Sequence, residues 1–143
     1  MTVAAILLPV FVLVLLSLVL LMLLGSRRKA ALAAGEVKLE LAPLDERAWP
    51  ARVRQTANAF RNQFELPVLF YVLVAFALIT RKADLAFVVL SWVFVLTRVG
   101  HALVHVTSND VRWRFPLYSF GLTVLLIMWV LFAFAILFAP VLP

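Results

Sequence analysis

From Val3 to Leu24 the sequence runs for about 22 residues without a charge, interrupted only by Pro9 and Ser17, and then meets Gly25, Ser26, Arg27, Arg28 and Lys29 in succession. A run of that length suits the roughly 30 Å hydrocarbon core of a bilayer. Three further apolar runs follow, at about Leu66 to Thr80, Leu85 to Val106 and Pro116 to Ala139. In lipid every backbone polar group must be satisfied within the protein, and continuous apolar runs of this length do so as helices. The expected fold is therefore all-α, an integral membrane four-helix bundle forming one domain over residues 1–143. With 66% of its 143 residues hydrophobic, the chain is too apolar to hide its surface in one soluble core.

What remains outside the spans is too short for a soluble catalytic domain, so any chemistry has to be built from helix faces and helix ends. Cysteine is absent, which excludes disulfides, thiolate metal sites and a cysteine nucleophile. The net charge of +6 does not imply a nucleic-acid partner, because the basic residues flank apolar spans, where lipid phosphate and topology account for them. A glycine-rich phosphate loop, an HExxH pair and a Ser-His-Asp order are all missing.

The first span reads as retained rather than as a secretory signal, since its positive charges follow a long apolar core instead of preceding a short one. The spans are placed at about 3–24, 60–80, 85–106 and 116–139, with a polar cytoplasmic loop at about 25–52 whose most polar part runs from Gly35 to Pro50. Thr107, Ser108, Asn109 and Asp110 supply a turn and capping cluster between the last two spans. The second span is the informative one. Its apolar part, Leu66 to Thr80, is only about 15 residues, or about 22 Å of helix. A helix ending near Arg81 must start its crossing about 20 residues earlier, which puts Arg61, Asn62 and Glu65 at membrane depth. They cannot face lipid cheaply.

Of the 13 lysines and arginines, Arg27, Arg28, Lys29, Lys38, Arg47, Arg52, Arg54 and Arg61 precede or open the second span, and Arg98, Arg112 and Arg114 flank the turn between spans three and four. Only Arg81 and Lys82 lie on the other side. This asymmetry predicts a cytoplasmic first loop with both termini outside.

Polar residues recur on one face of three helices. Arg54, Asn58, Arg61 or Asn62, and Glu65 are spaced for one stripe of the second; Arg98, His101 and His105 for one of the third; Arg114 and Tyr118 for the start of the fourth. Alternating direction brings all three stripes to the same end. Plainer readings exist for each group. Arg54, Arg98 and Arg112 equally suit snorkelling to lipid phosphate, the better reading for Arg112, while Asn58 and Asn62 suit interhelical hydrogen bonding. Glu65 fits either a structural ion pair or a functional site, the default reading for an intramembrane carboxylate. His101 and His105 have the spacing of a metal pair but no placed third ligand, so no metal site is assigned.

Taken together, these stripes resemble the MAPEG family, membrane-associated proteins in eicosanoid and glutathione metabolism, here in a bacterial-type form. The family's Arg-Asn-x-x-Glu motif followed by proline is matched by Arg61, Asn62, Glu65 and Pro67. Its Arg-x-x-His-x-x-x-Tyr motif is matched by Arg98 and His101, with His105 in place of tyrosine, and its Arg-x-x-x-Tyr motif by Arg114 and Tyr118. The chain departs from the pattern at Asn58, where glutathione-binding members usually carry arginine. It departs again at Phe115, often serine, and in a proline two residues after the glutamate rather than three or four.

The resemblance implies a MAPEG-like trimer and a glutathione-dependent transferase or peroxidase acting on lipophilic electrophiles, with glutathione as co-substrate. It further implies that Arg61, Asn62, Glu65, His101 and Tyr118 hold the tripeptide, with Arg98 beside them and His105 peripheral, and that Arg114 stabilises the thiolate. The expected setting is a bacterial inner (plasma) membrane, with lipid and a lipophilic small molecule as partners. The alternative is a non-catalytic lipid-binding or scaffold protein of the same fold, which Asn58 and Phe115 favour. A transporter would need polar residues through the full thickness, and the outer halves of the spans are almost entirely apolar.

Overall fold

The computed structural model describes residues 1–43 and 45–138. It is all-helical, with four segments long and apolar enough to cross a membrane. The first is α1 (Val3–Ala33). The second comprises α2 (Ala51–Arg61) and α3 (Leu66–Ile79), joined by a 3₁₀ turn at Asn62–Phe64, and the last two are α4 (Leu85–Val106) and α5 (Val111–Leu137).

Helix α1 opens on Thr2, whose Oγ1 accepts from the Ala5 amide at 3.2 Å, satisfying one orphan donor of the first turn. It does not stop where its apolar run stops. It continues past Leu24 through Arg27–Lys29 to Ala33, because Ala30 to Ala34 contains good helix formers and nothing in the polar step breaks the backbone ladder. The stop is Gly35, left-handed at φ +69°. Its amide and that of Glu36 return to the Leu32 and Ala31 carbonyls, both at 3.0 Å, the paired closure that glycine allows without steric penalty. The polar stretch expected at 25–52 is therefore helical at both ends.

Pro67 explains the break in the second segment. It has no amide hydrogen to give the Gln63 carbonyl, and its ring disfavours helical geometry at Leu66. The chain tightens at Asn62–Phe64, and Glu65 leaves the helical region at φ −101°, ψ −104°. Helix α5 starts at Val111, five residues before Pro116, because the Asp110 carboxylate caps it, accepting from the Arg112 amide at 2.9 Å. Asn109 precedes it at φ +52°, a left-handed turn that asparagine tolerates. The final residue of the expected fourth span, Ala139, lies outside the described residues.

Helix α4 is the hub, packing on α5, α1 and α2. Leu13, Phe70, Leu73, Phe94, Leu125 and Met128 are almost wholly buried around it, and the rings of Phe70 and Phe94 stack with centroids 4.8 Å apart. Without a hydrophobic drive between helices in lipid, such dense contact and close backbone approach must hold the bundle. Gly121 supplies one approach: a Cβ there would lie 2.7 Å from Thr97 Oγ1 and 3.9 Å from Arg98 Cδ. The outer faces of α1 and α5, with Phe11, Leu15, Met22, Leu126 and Phe134, remain exposed, as suits a lipid solvent. At the other end Arg27 ties three helices, donating to Thr56 Oγ1 at 2.6 Å, the Arg52 carbonyl at 3.2 Å and the Val106 carbonyl at 3.1 Å. The last of these places a cation on the C-terminus of α4, the favourable end of its dipole.

Candidate functional site

The break in the second segment turns Asn62 toward α4. Arg98, fully buried at 0% exposure, donates from Nη2 to the Asn62 carbonyl at 3.2 Å, and its guanidinium carbon sits 5.5 Å from the centroid of the Tyr118 ring on α5. The remaining nitrogens, Nε and Nη1, have no hydrogen-bond partner. One turn further along α4, His101 bridges two helices: Nδ1 lies 3.0 Å from the Arg114 carbonyl and Nε2 lies 3.3 Å from Asn62 Nδ2. A carbonyl only accepts, so Nδ1 carries the proton and Nε2 receives the amide N–H of Asn62. The His101 ring is thereby fixed between the α2 break and the first turns of α5. His105 meets it edge-on at 5.6 Å, and Tyr118 lies at the same distance on its other side. His105 Nδ1 is buried without a partner.

Asn62, His101, His105 and Tyr118 line an open cavity of about 350 Å³ together with Asn58, Glu65, Arg114 and Phe115, within the roughly 300–1,000 Å³ typical of small-molecule sites. Arg114 is half-buried, and its guanidinium donates to Asn109 Oδ1. The left-handed turn thus holds the one arginine that lines the cavity among the described residues. Glu65 also lines the cavity, exposed and with no salt-bridge partner among the described residues. A carboxylate and a guanidinium facing one cavity complement a ligand carrying both an ammonium and carboxylates. The polar atoms left unpartnered behind and beside the cavity, on Arg98 and His105, fit a polar guest rather than a hydrocarbon one.

Six of the eight residues singled out from sequence line this cavity: Asn62, Glu65, His101, His105, Arg114 and Tyr118. Arg98 lies behind them, in contact with two. Arg61 does not join them. Successive helical residues point about 100° apart, so only one of Arg61 and Asn62 can face α4. Asn62 does, and Arg61 turns outward into an exposed ion pair with Glu46 of the loop. His105, expected at the periphery, is buried in the cavity wall. Sequence reasoning passed over Gly121, whose missing side chain lets α5 close on Arg98; a lone glycine in an apolar span was the only signal. It also passed over Val111, which joins the cavity lining because α5 starts ahead of the apolar run.

Four membrane-crossing helices with a cluster of arginine, histidine, asparagine and glutamate at one end define a multi-pass integral membrane protein with a polar site among its helices. The MAPEG family model matches residues 6–134, and the chain belongs to that family. No match was found among curated proteins or among solved structures.

Proposed function

We propose that this MAPEG protein is a glutathione-dependent enzyme of the membrane, a transferase or peroxidase acting on lipophilic electrophiles. The observation that carries this reading is the cavity of about 350 Å³ with Glu65 and Arg114 on its walls and Asn62, His101 and Tyr118 between them. Glutathione presents one ammonium and two carboxylates; Glu65 takes the ammonium, Arg114 and the amide of Asn62 answer the anionic parts, and Arg98 supplies fixed positive charge from behind Tyr118. In the transferase reaction the thiol loses its proton to water, the thiolate forms the new carbon–sulfur bond and the leaving group departs with the bonding pair. Arg114 acts on the first step. A thiol with an ordinary pKa near 8.5 is mostly protonated at neutral pH, and a guanidinium, which stays charged when partly desolvated, favours the thiolate.

The carboxylate of Glu65 is exposed on a single chain at a depth where lipid would surround it. This supports a homotrimer, in which a neighbouring copy covers the open side of the cavity. Native mass spectrometry showing only monomers across a concentration series would remove that part of the reading. We take the membrane to be a bacterial inner one, and the basic bias of the first loop supports that loop in the cytoplasm with both termini outside. A periplasm-active reporter should be silent when inserted near Lys38.

A second reading, a non-catalytic lipid-binding or scaffold protein, is favoured by Asn58 and Phe115, which put an amide and an apolar ring into the cavity lining. Calorimetry with glutathione and its S-alkyl conjugates separates the two. Saturable binding of both supports the enzyme; silence toward both, with tight fatty-acid binding, supports the scaffold and defeats the first reading.

A further inference from the structure

A second cavity, of about 380 Å³, lies between the loop and the start of α2, lined by Arg28, Glu46, Arg47, Trp49, Arg54 and Asn58 among others. It is a built space. Trp49 is buried, its indole N–H donates to the Ala42 carbonyl at 3.1 Å, and the guanidinium of Arg28 lies over the ring at 5.3 Å. The charge around it is unbalanced. Glu46 is taken by Arg61, and Glu36, the other paired carboxylate, is taken by Arg52 at 2.6 Å. Asp45 caps the short turn through the Arg47 amide at 2.8 Å. Arg28, Arg47 and Arg54 have no carboxylate partner among the described residues, so three arginines line one small cavity whose single lining carboxylate, Glu46, is already paired with Arg61.

We propose that this cavity is a phosphate site, filled by the headgroup phosphate of a phospholipid or by a free phosphate. Three forks arriving from different elements suit a tetrahedral anion with several acceptor oxygens better than a planar carboxylate, and arginine pairs with phosphate through two parallel N–H···O bonds. The position agrees with a lipid source. Arg28 stands four residues beyond Leu24, the end of the first apolar run, and tryptophan with arginine marks the level where headgroups lie. Asn58 lines both cavities, so the bound phosphate sits at the rim of the polar site. The assignment stands whether or not that site binds glutathione.

Native mass spectrometry of the full chain in detergent tests it, with short-chain phosphatidylglycerol as probe and the matching diacylglycerol as the uncharged control. The wild type and Arg112→Gln should retain one phosphatidylglycerol per chain. The double variant Arg47→Gln/Arg54→Gln should bind it at least about tenfold more weakly, a tenfold change corresponding to about 1.4 kcal/mol. Tryptophan emission provides a readout that does not depend on the double variant, should that variant misfold. Phosphatidylglycerol should change it, the change should fade at raised salt, and it should vanish in Trp49→Phe. If inorganic phosphate displaces the lipid and reproduces the emission change, the ligand is free phosphate; if it does neither, the source is the headgroup. Equal lipid affinity in wild type and a folded double variant, or no preference for phosphatidylglycerol over diacylglycerol, overturns the proposal.

Discussion

The two ends of the bundle are built from the same helices and obey different rules. Toward the α3–α4 turn, α3, α4 and α5 meet through Leu73, Ala77, Val88, Leu125 and Met128, and contact alone holds them. Toward the α4–α5 turn, α4 and α5 meet the 3₁₀ turn that follows α2 through Arg98, His101, Asn62 and the Arg114 carbonyl. There, hydrogen bonds fix directions and several polar atoms stay unpartnered. Dense apolar packing is what stabilises a bundle in lipid, whereas unpartnered buried polar atoms oppose stability and persist where something else uses them. The difference puts the dense stabilising contacts at one end and the candidate binding site at the other.

Leu73→Ala at the apolar end should have the largest effect. Leu73 is fully buried, and emptying such a position costs about 2–5 kcal/mol. Resistance to unfolding by SDS should fall accordingly, while glutathione affinity per folded molecule stays within about twofold, a change of roughly 0.4 kcal/mol. A matching loss of affinity would break the division between the ends.

At the boundary, Gly121→Ala pushes a methyl group against Thr97, whose hydroxyl is held by the Phe94 carbonyl at 2.6 Å. Overpacking of this kind costs about 1–3 kcal/mol, and the shift reaches Arg98, so stability and binding should fall together. Adding Thr97→Ala should restore much of both. Failure of the second substitution to rescue would mean that the close approach of α5 to α4 is not what seats Arg98.

At the polar end, Asn62→Ala removes one neutral hydrogen bond to His101 and should lower stability by only about 1 kcal/mol. Glutathione affinity, read by calorimetry, should drop by about tenfold or more, the size expected when a hydrogen bond to a charged ligand group is lost. Loss of stability with unchanged affinity would make Asn62 part of the scaffold alone.

The division between the ends was legible in the sequence to the extent that helical period carries it. The apolar runs gave four crossing helices, and the stripes of Arg98, His101 and His105 and of Arg114 and Tyr118 needed only the spacing of turns to be placed together. The second helix shows where periodicity stops. Positions 54, 58, 61 or 62, and 65 fall on one stripe only if the helix is regular, and Pro67 makes it irregular. The tight turn at Asn62–Phe64 decided between Arg61 and Asn62, and no period contains that choice. Hydropathy also located where apolar runs end rather than where helices end. Gly35 and Asp110 mark those ends, the first through backbone hydrogen bonds and the second through a carboxylate that accepts from a backbone amide. The arginine-rich cavity was illegible for another reason: Arg28, Arg47 and Arg54 come from a helix end, a loop turn and a second helix, and only the path of the loop assembles them.

The central claim is that Arg114 makes the cavity a place where a thiol ionises. Its direct measurement is a pH titration of thiolate ultraviolet absorbance for glutathione bound to the wild type, to Arg114→Ala and to Arg112→Ala, an exposed neighbour on the same helix turn. The account predicts a midpoint at least about one pH unit below that of free glutathione in the wild type and in Arg112→Ala, equivalent to about 1.4 kcal/mol of preference for the thiolate. In Arg114→Ala the midpoint should return toward the free value with only modest loss of affinity. Superimposable titration curves for all three proteins would contradict it.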